Sequence, residues 1–259
     1  MTGIDEAKKK TPLDGRMWLT YLPVGTPKGA VIILIGYGGL AKDLNTKITD
    51  AVVAHGFVAC VPQGLPDANG RNSWNVGYPC QTSMTVDDVA FLEALAAKLK
   101  ADYSVRSVFL AGMSNGCEMC YQMAYRSPKT FNAIASVSGL TLTSLVAGGE
   151  PLGGVPFMEL HGTEDKTSLW NGDLANDNQY WGAYLPVEDA VGRIVTANGG
   201  AVSDVDVRRY SDCVTQFIWR GRCETRLYRV EGGVHSWFFE CFPTGEEICA
   251  FFEKSMLEE

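Results

Sequence analysis

The pentapeptide Gly112-Met113-Ser114-Asn115-Gly116 constrains this chain more than any other stretch. It follows Ser107-Val108-Phe109-Leu110-Ala111, a short apolar run that reads as a buried strand. It precedes Cys117-Glu118-Met119-Cys120-Tyr121-Gln122-Met123-Ala124, a segment that reads as a helix. A strand that turns at once into a helix leaves no room for side chains on either side of the bend. Glycine at both ends relieves that crowding and leaves the hydroxyl of Ser114 exposed at the tip of the turn, a pattern that presents a nucleophile. Any fold for this chain must therefore place a strand, a sharp turn and a helix in direct succession here.

The flanking segments repeat the alternation. Met17–Leu22 is expected to be a first strand, closed by Pro23. Ala30–Ile35 is a continuous β-rich apolar run, as expected of a strand covered on both faces. Further strands are expected at Val58–Val61, Ala133–Ser138, Val155–His161 and Thr225–Val230. Helices are expected at Asn45–Gly56, from Thr85 as N-cap with Val89, Leu92, Leu95 and Leu99 on its core face, and at Pro186–Asn198. A last helix is expected to open near Thr244, with a Thr244/Glu247 capping box. Strands alternating with helices throughout indicate a mostly parallel sheet flanked by helices. Residues 1–13, with Lys8-Lys9-Lys10, are expected to be a solvated arm, and residues 14–259 one catalytic domain without a large cap.

Three groups of complementary chemistry fall, in chain order, after strands of this set, where open α/β sheets gather their sites. Ser114 is the nucleophile, Asp165 the acid and His235 the base. A serine hydroxyl attacks poorly until a base takes its proton; the imidazole does so, and the carboxylate holds its tautomer. The chain has three histidines. His55 precedes Gly56 at a helix end, and His161 closes a strand, so both read as structural. Glu164 is the alternative acid, whereas Asp87 and Asp88 read as helix-start residues. The glycines around Tyr37 favour a backbone N–H turned toward a reacting carbonyl; Tyr37 and Asn115 are the expected oxyanion donors. Trp74 and Asn75 lie on a Gly/Asn/Pro-rich loop that is expected to border the site, and Trp170, Tyr180 and Trp181 follow Asp165. This chemistry needs no metal and no cofactor.

Net charge is −8, which argues against nucleic acid or an anionic membrane as partner. No apolar run approaches the ~18 residues of a membrane span. The N-terminal stretch lacks an apolar signal core. Eight cysteines allow many pairings, of which Cys213 with Cys223 is the best local candidate. Cys117-x-x-Cys120 has metal or redox spacing, but no second pair lies nearby and packing on one helix face accounts for it.

Four ordered stretches resemble the secreted feruloyl esterases and polyhydroxybutyrate depolymerase-like hydrolases of the α/β-hydrolase fold. They are Val86–Leu92, Gly112–Gly116, His161-Gly162-Thr163-Glu164-Asp165 and Glu231-Gly232-Gly233-Val234-His235-Ser236-Trp237. The resemblance implies Ser114, Asp165 and His235 as a catalytic triad, Tyr37 as an oxyanion donor, and Trp74-Asn75 at the border of the site; Trp237, an aromatic near the site, is a further expected substrate contact. It also implies a Cys213–Cys223 bridge, secretion, and an ester substrate, small or polysaccharide-linked. The implied activity is that of a serine carboxylesterase on hydroxycinnamate esters of plant cell walls, with a 3-hydroxyalkanoate depolymerase or a general short-chain esterase as the alternative and a non-catalytic binding module as the contrasting class. The chain departs from that family's pattern at Ile35-Gly36, where His-Gly is usual, at Cys117, and at Phe238-Phe239.

Overall fold

A computed structural model describes residues 11–256 of the chain. The lysine cluster at 8–10 lies outside the described residues. In chain order the elements are β1 (Trp18–Tyr21), β2 (Gly29–Leu34), α1 (Thr46–Ala54), β3 (Phe57–Pro62), β4 (Leu65–Pro66), β5 (Asn72–Ser73), α2 (Asp88–Tyr103), β6 (Val108–Met113) and α3 (Asn115–Arg126). There follow β7 (Ile134–Val137), α4 (Thr143–Ala147), β8 (Phe157–Gly162), α5 (Val187–Ala197), β9 (Val205–Arg209), β10 (Val214–Trp219), β11 (Thr225–Val230) and α6 (Thr244–Met256).

Among the described residues, nine strands make one sheet in the order β1-β3-β2-β6-β7-β8-β11-β10-β9. The six from β3 to β11 run parallel, while β1, β10 and β9 pair antiparallel at the two edges. Strand alternation explains why the central strands are apolar throughout. On β2, Ala30, Ile32 and Leu34 pack in a layer with α2, α3 and α5 residues such as Leu95, Met119 and Ile194. Val31 and Ile33 face the opposite layer, where Ile48 and Val52 of α1 meet Phe251 and Phe252 of α6. Phe109 stacks on Phe252 there at 4.7 Å between ring centres. Such pairs add about 0.5–1.5 kcal/mol beyond burial. No helix among the described residues is long and apolar enough to cross a membrane.

Several local expectations are corrected. Helix α2 is capped by Asp87, whose side chain accepts from the Ala90 N–H, not by Thr85. Asp88 is buried and paired with Arg16, so its place is set by a partner far away in sequence. Phe91 is buried in the core while Val89 is half-buried. The Thr244 hydroxyl donates to the carbonyls of Trp237 and Phe242, so no capping box forms with Glu247.

The anticipated Cys213–Cys223 bridge is also excluded by register. In the β10–β11 hairpin, Val214 faces Val230 and Trp219 faces Thr225. Cys213 therefore adjoins the open end of the hairpin and Cys223 its turn. The six residues of β10 hold them about 20 Å apart. A disulfide requires Cα atoms within about 7 Å.

The turn between β6 and α3 tolerates only glycine. A Cβ on Gly112 would stand 2.3 Å from the Gly116 carbonyl oxygen, and one on Gly116 would stand 2.4 Å from that of Leu34. Both obstacles are backbone, so neither can swing aside. Gly116→Ala is expected to destabilise the protein by about 3 kcal/mol. The measurement is guanidinium unfolding, with a lower midpoint at an unchanged slope; an unshifted midpoint would show that the helix can slide away from β2.

Candidate active site

Ser114 occupies the bend between β6 and α3 with φ 57° and ψ −126°, a backbone state that costs a non-glycine residue about 1–3 kcal/mol. Its N–H is fixed by the Val137 carbonyl at 2.9 Å, and its carbonyl accepts from the Glu118 N–H. Gly36 lies against it: a Cβ there would be 3.2 Å from Ser114 Cβ and 3.6 Å from Oγ. The end of β2 thus closes over the serine. Among the described residues, neither the Tyr37 nor the Asn115 backbone N–H has a protein acceptor. Asn115 also stands at the positive end of α3.

Asp165 and His235 are brought together. His235 Nδ1 lies 2.8 Å from Asp165 Oδ2. The other carboxylate oxygen accepts from the N–H groups of Thr167 and Ser168, both at 2.8 Å. Burial alone would raise the Asp165 pKa, but the bond and charge of His235 and these two N–H groups outweigh it, and the net shift is downward. Glu164 is exposed and pairs with Lys166, so it is not the acid that meets His235. Among the described residues no hydrogen bond joins the Ser114 hydroxyl to His235. Such bonds are commonly long before substrate binds.

The loop bearing His235 is held close to the loop bearing Asp165. The Glu164 N–H donates to the Gly233 carbonyl, the Gly232 N–H to Thr163 Oγ1, and the Ser138 hydroxyl to the Ser236 carbonyl. A Cβ on Gly162 would meet the Gly233 oxygen at 2.2 Å, which is why both loops are glycine-rich at this crossing.

His161 lies beneath, fully buried. Its Nδ1 is 3.0 Å from Glu159, its Nε2 is 2.8 Å from the Ser168 carbonyl, and Asp165 Oδ2 stands 3.7 Å away. Burial opposes a proton on this ring, but the Glu159 carboxylate and the Ser168 carbonyl prevail and raise its pKa. Glu159 also accepts from the Ser136 hydroxyl, which contacts the Cys117 thiol. Cys120 donates to the Ala135 carbonyl, and both thiols are fully buried, in keeping with a packing role. Nothing in the sequence around Glu159 singled it out.

The expected substrate contacts divide. Trp74 is wholly buried and touches no open surface. Its backbone N–H donates to Asn115 Oδ1, its carbonyl accepts from Asn115 Nδ2, and its indole N–H donates to the Ile35 carbonyl. It is a bolt between the 64–79 loop and the serine turn, and the expectation that it contacts substrate is corrected. Asn75 donates its amide to the Val86 carbonyl and its N–H to Asp88, which commits it to the start of α2. Trp237 is half-buried and lines a cavity of about 240 Å³ together with Ile35, Gly36 and Leu40. Trp170 packs edge-on against His161 at 5.9 Å.

A second cavity, of about 420 Å³, is lined by Tyr37, Arg71, Cys80, Tyr180 and Trp181. Trp181 meets Tyr37 at 5.4 Å and Tyr78 at 4.9 Å between ring centres. Tyr78 and Gln81 were not anticipated. Gln81 accepts from three consecutive N–H groups, Val76 to Tyr78, and donates to the Trp74 carbonyl, so one amide shapes the whole loop.

No family model matches the chain. Over 90 residues it is 32% identical to a probable feruloyl esterase C of Aspergillus clavatus, covering 34% of this chain and 32% of that protein. Over 138 residues it is 31% identical to feruloyl esterase B of Neurospora crassa, covering 50% of this chain and 45% of that one. These matches therefore span less than half the length of either relative. Among solved structures, an acetyl xylan esterase from Aspergillus awamori superposes with a TM-score of 0.64 over 94% of this chain and 95% of its own, at 15% identity. A Bacillus cereus carboxylesterase gives 0.62 over 93% and 95%, at 12% identity. The fold is that of the α/β-hydrolases, with no large cap among the described residues.

Glu118, on the first turn of α3, is buried, and burial pushes its pKa up to about 8 against the hydrogen bonds of Tyr78 and Asn115. Its Oε2 has no hydrogen-bond partner. A carboxyl whose folded pKa exceeds its unfolded value stabilises the fold while protonated, and that contribution is lost as pH rises. The window runs from 4.5 to about 8. Denaturant midpoints at the two ends of that window should fall more for the wild type than for Glu118→Gln. Equal slopes in the two proteins would show that Glu118 ionises normally.

Proposed function

We propose that the chain is a serine carboxylesterase working through an acyl-enzyme. One observation carries this: the 2.8 Å Asp165–His235 bond lies on loops tied to the end of β7, from whose last residue the Ser114 N–H is held. The feruloyl esterases and the acetyl xylan esterase that the chain resembles point the same way.

In the proposed cycle the Ser114 hydroxyl attacks the ester carbonyl as His235 Nε2 takes its proton. Asp165, accepting from Nδ1–H, holds the ring in the tautomer that leaves Nε2 free and stabilises the imidazolium. The Tyr37 and Asn115 N–H groups, unspent in the protein, bind the oxygen that becomes negative; loss of one such donor costs about 10²–10³ in rate. The imidazolium then protonates the departing alcohol. Water, activated by the same imidazole, releases the acid and restores the hydroxyl. These steps call on no metal or cofactor.

The favoured substrates are hydroxycinnamate esters, as small molecules or on plant cell-wall sugars. Their flat ring matches a cavity walled by Tyr37, Tyr180 and Trp181, adjoining the serine through Tyr37 and Gly36. Ser114→Ala is expected to lower kcat by about 10⁵–10⁶ and Asp165→Asn by about 10⁴. Retained turnover in Ser114→Ala, or failure of the wild-type serine to react with a fluorophosphonate probe, would leave the non-catalytic alternative standing. Methyl ferulate, short aliphatic esters and hydroxybutyrate oligomers should be compared on one preparation. Preference for methyl ferulate, with a raised KM in Trp181→Ala, is the expected result; turnover of the aliphatic esters alone would remove the aromatic assignment.

A further inference from the structure

Residues 231–243 leave β11, carry His235 and end at the start of α6. The two ends of this loop return to the same place, the bend before β10. At one end the Glu231 N–H donates to the Cys213 carbonyl at 2.8 Å. At the other, the Phe242 ring packs 4.9 Å from Tyr210 and 5.1 Å from Tyr228. Cys241 precedes that ring, and its backbone N–H closes a turn onto the Phe238 carbonyl. The Cys241 thiol, raised first by burial, is raised further by the charge and hydrogen bond of Cys213, which is its direct neighbour. Cys213 is half-buried and Cys241 is exposed.

The remaining cysteines do not compete. Cys60, Cys117, Cys120 and Cys249 are buried, and Cys80 lies beside Tyr37 and Asp67. Cys223 stands at the far end of the hairpin. Cys213 and Cys241 are therefore two thiols near enough to interact through their side chains, neither of them fully buried, on segments that no disulfide joins among the described residues.

We propose that Cys213 and Cys241 form a disulfide that clasps the base of the His235 loop to the β9–β10 bend. The oxidant is a small-molecule disulfide, acting by two exchanges. The thiolate of one cysteine attacks the reagent, forming a mixed disulfide and expelling one thiolate. The other cysteine attacks that bond, the protein S–S bond forms, and a second thiolate leaves. The pair gives up two electrons and two protons; the reagent is reduced to two thiols. The bridge closes a loop that contains β10, β11 and His235, and so restricts the unfolded chain across that whole stretch.

The test uses the full chain and needs no ester turnover, so it stands whether or not the catalytic proposal does. Folded protein is equilibrated with oxidised glutathione, quenched with iodoacetamide, and digested without reductant for mass spectrometry. A cross-linked peptide pair containing Cys213 and Cys241 is expected, absent from Cys241→Ser. The thermal midpoint of the wild type should rise by about 5–10 °C on oxidation, with no rise in Cys241→Ser. Because Cys241 is exposed, that variant is expected to fold, and its reduced midpoint should match that of the reduced wild type. Carbamidomethylation of both cysteines after oxidation, a stable glutathione adduct on either, or a cross-link to a third cysteine would overturn the pairing. A cross-link that leaves the midpoint unmoved would overturn the clasp.

Discussion

The backbone of α3 rests directly on the backbone of β2, and the candidate site depends on that contact. Only the absence of side chains at Gly112 and Gly116 permits it. The approach accompanies a positive φ at Ser114 and sets that residue beneath Gly36; as in any helix, the first N–H group of α3, that of Asn115, is left without an acceptor among the described residues. Strain in the backbone and proximity to the β2 loop thus go together, and the helix start adds unused hydrogen-bond capacity at the same point. The sheet supplies the rigidity that sustains them, since β6 is flanked on both sides by parallel strands and covered on both faces.

A second layer of organisation is electrostatic. Asp165 keeps its charge in a buried position because His235 and two loop N–H groups compensate it, while His161 and Glu159 form a further polar pair behind it. On the first turn of α3, Glu118 is buried and is held by Tyr78 and the Asn115 amide. The two carboxyl groups differ in what surrounds them. One faces an imidazole and stays ionised at neutral pH; the other faces neutral groups and takes up a proton.

The sequence was legible where a feature is local. The apolar runs of β2 and β6, the last strand β11, the glycine-flanked serine, and the order of serine, aspartate and histidine all sit within a few residues of their signals. It was less legible where a distant partner decides. Asp88 reads as a helix-start residue, yet Arg16 makes it a buried ion pair. Trp74 on a polar loop reads equally as a pocket wall or as an anchor, and only its bonds to Asn115 and Ile35 distinguish them. Cys213 and Cys223 lie close in sequence, but an antiparallel hairpin sends them to opposite ends. Edge strand β9 escaped notice because it has no alternation to read: Val205 and Asp206 are half-buried and Val207, Arg208 and Arg209 are exposed.

The two sides of the aromatic cavity are anchored very differently. The 73–81 side is bolted by the Trp74–Asn115 bonds and by the five contacts of Gln81, so its shape is inherited from the serine turn itself. The side bearing Tyr180 and Trp181 is held mainly by Asn178 accepting from two backbone N–H groups and by ring contacts. Amino-acid replacements can therefore accumulate on the second wall while the turn beneath stays as it is. In a lineage of such chains, selectivity is free to drift and the reaction is not, so divergence is expected to concentrate between residues 174 and 183.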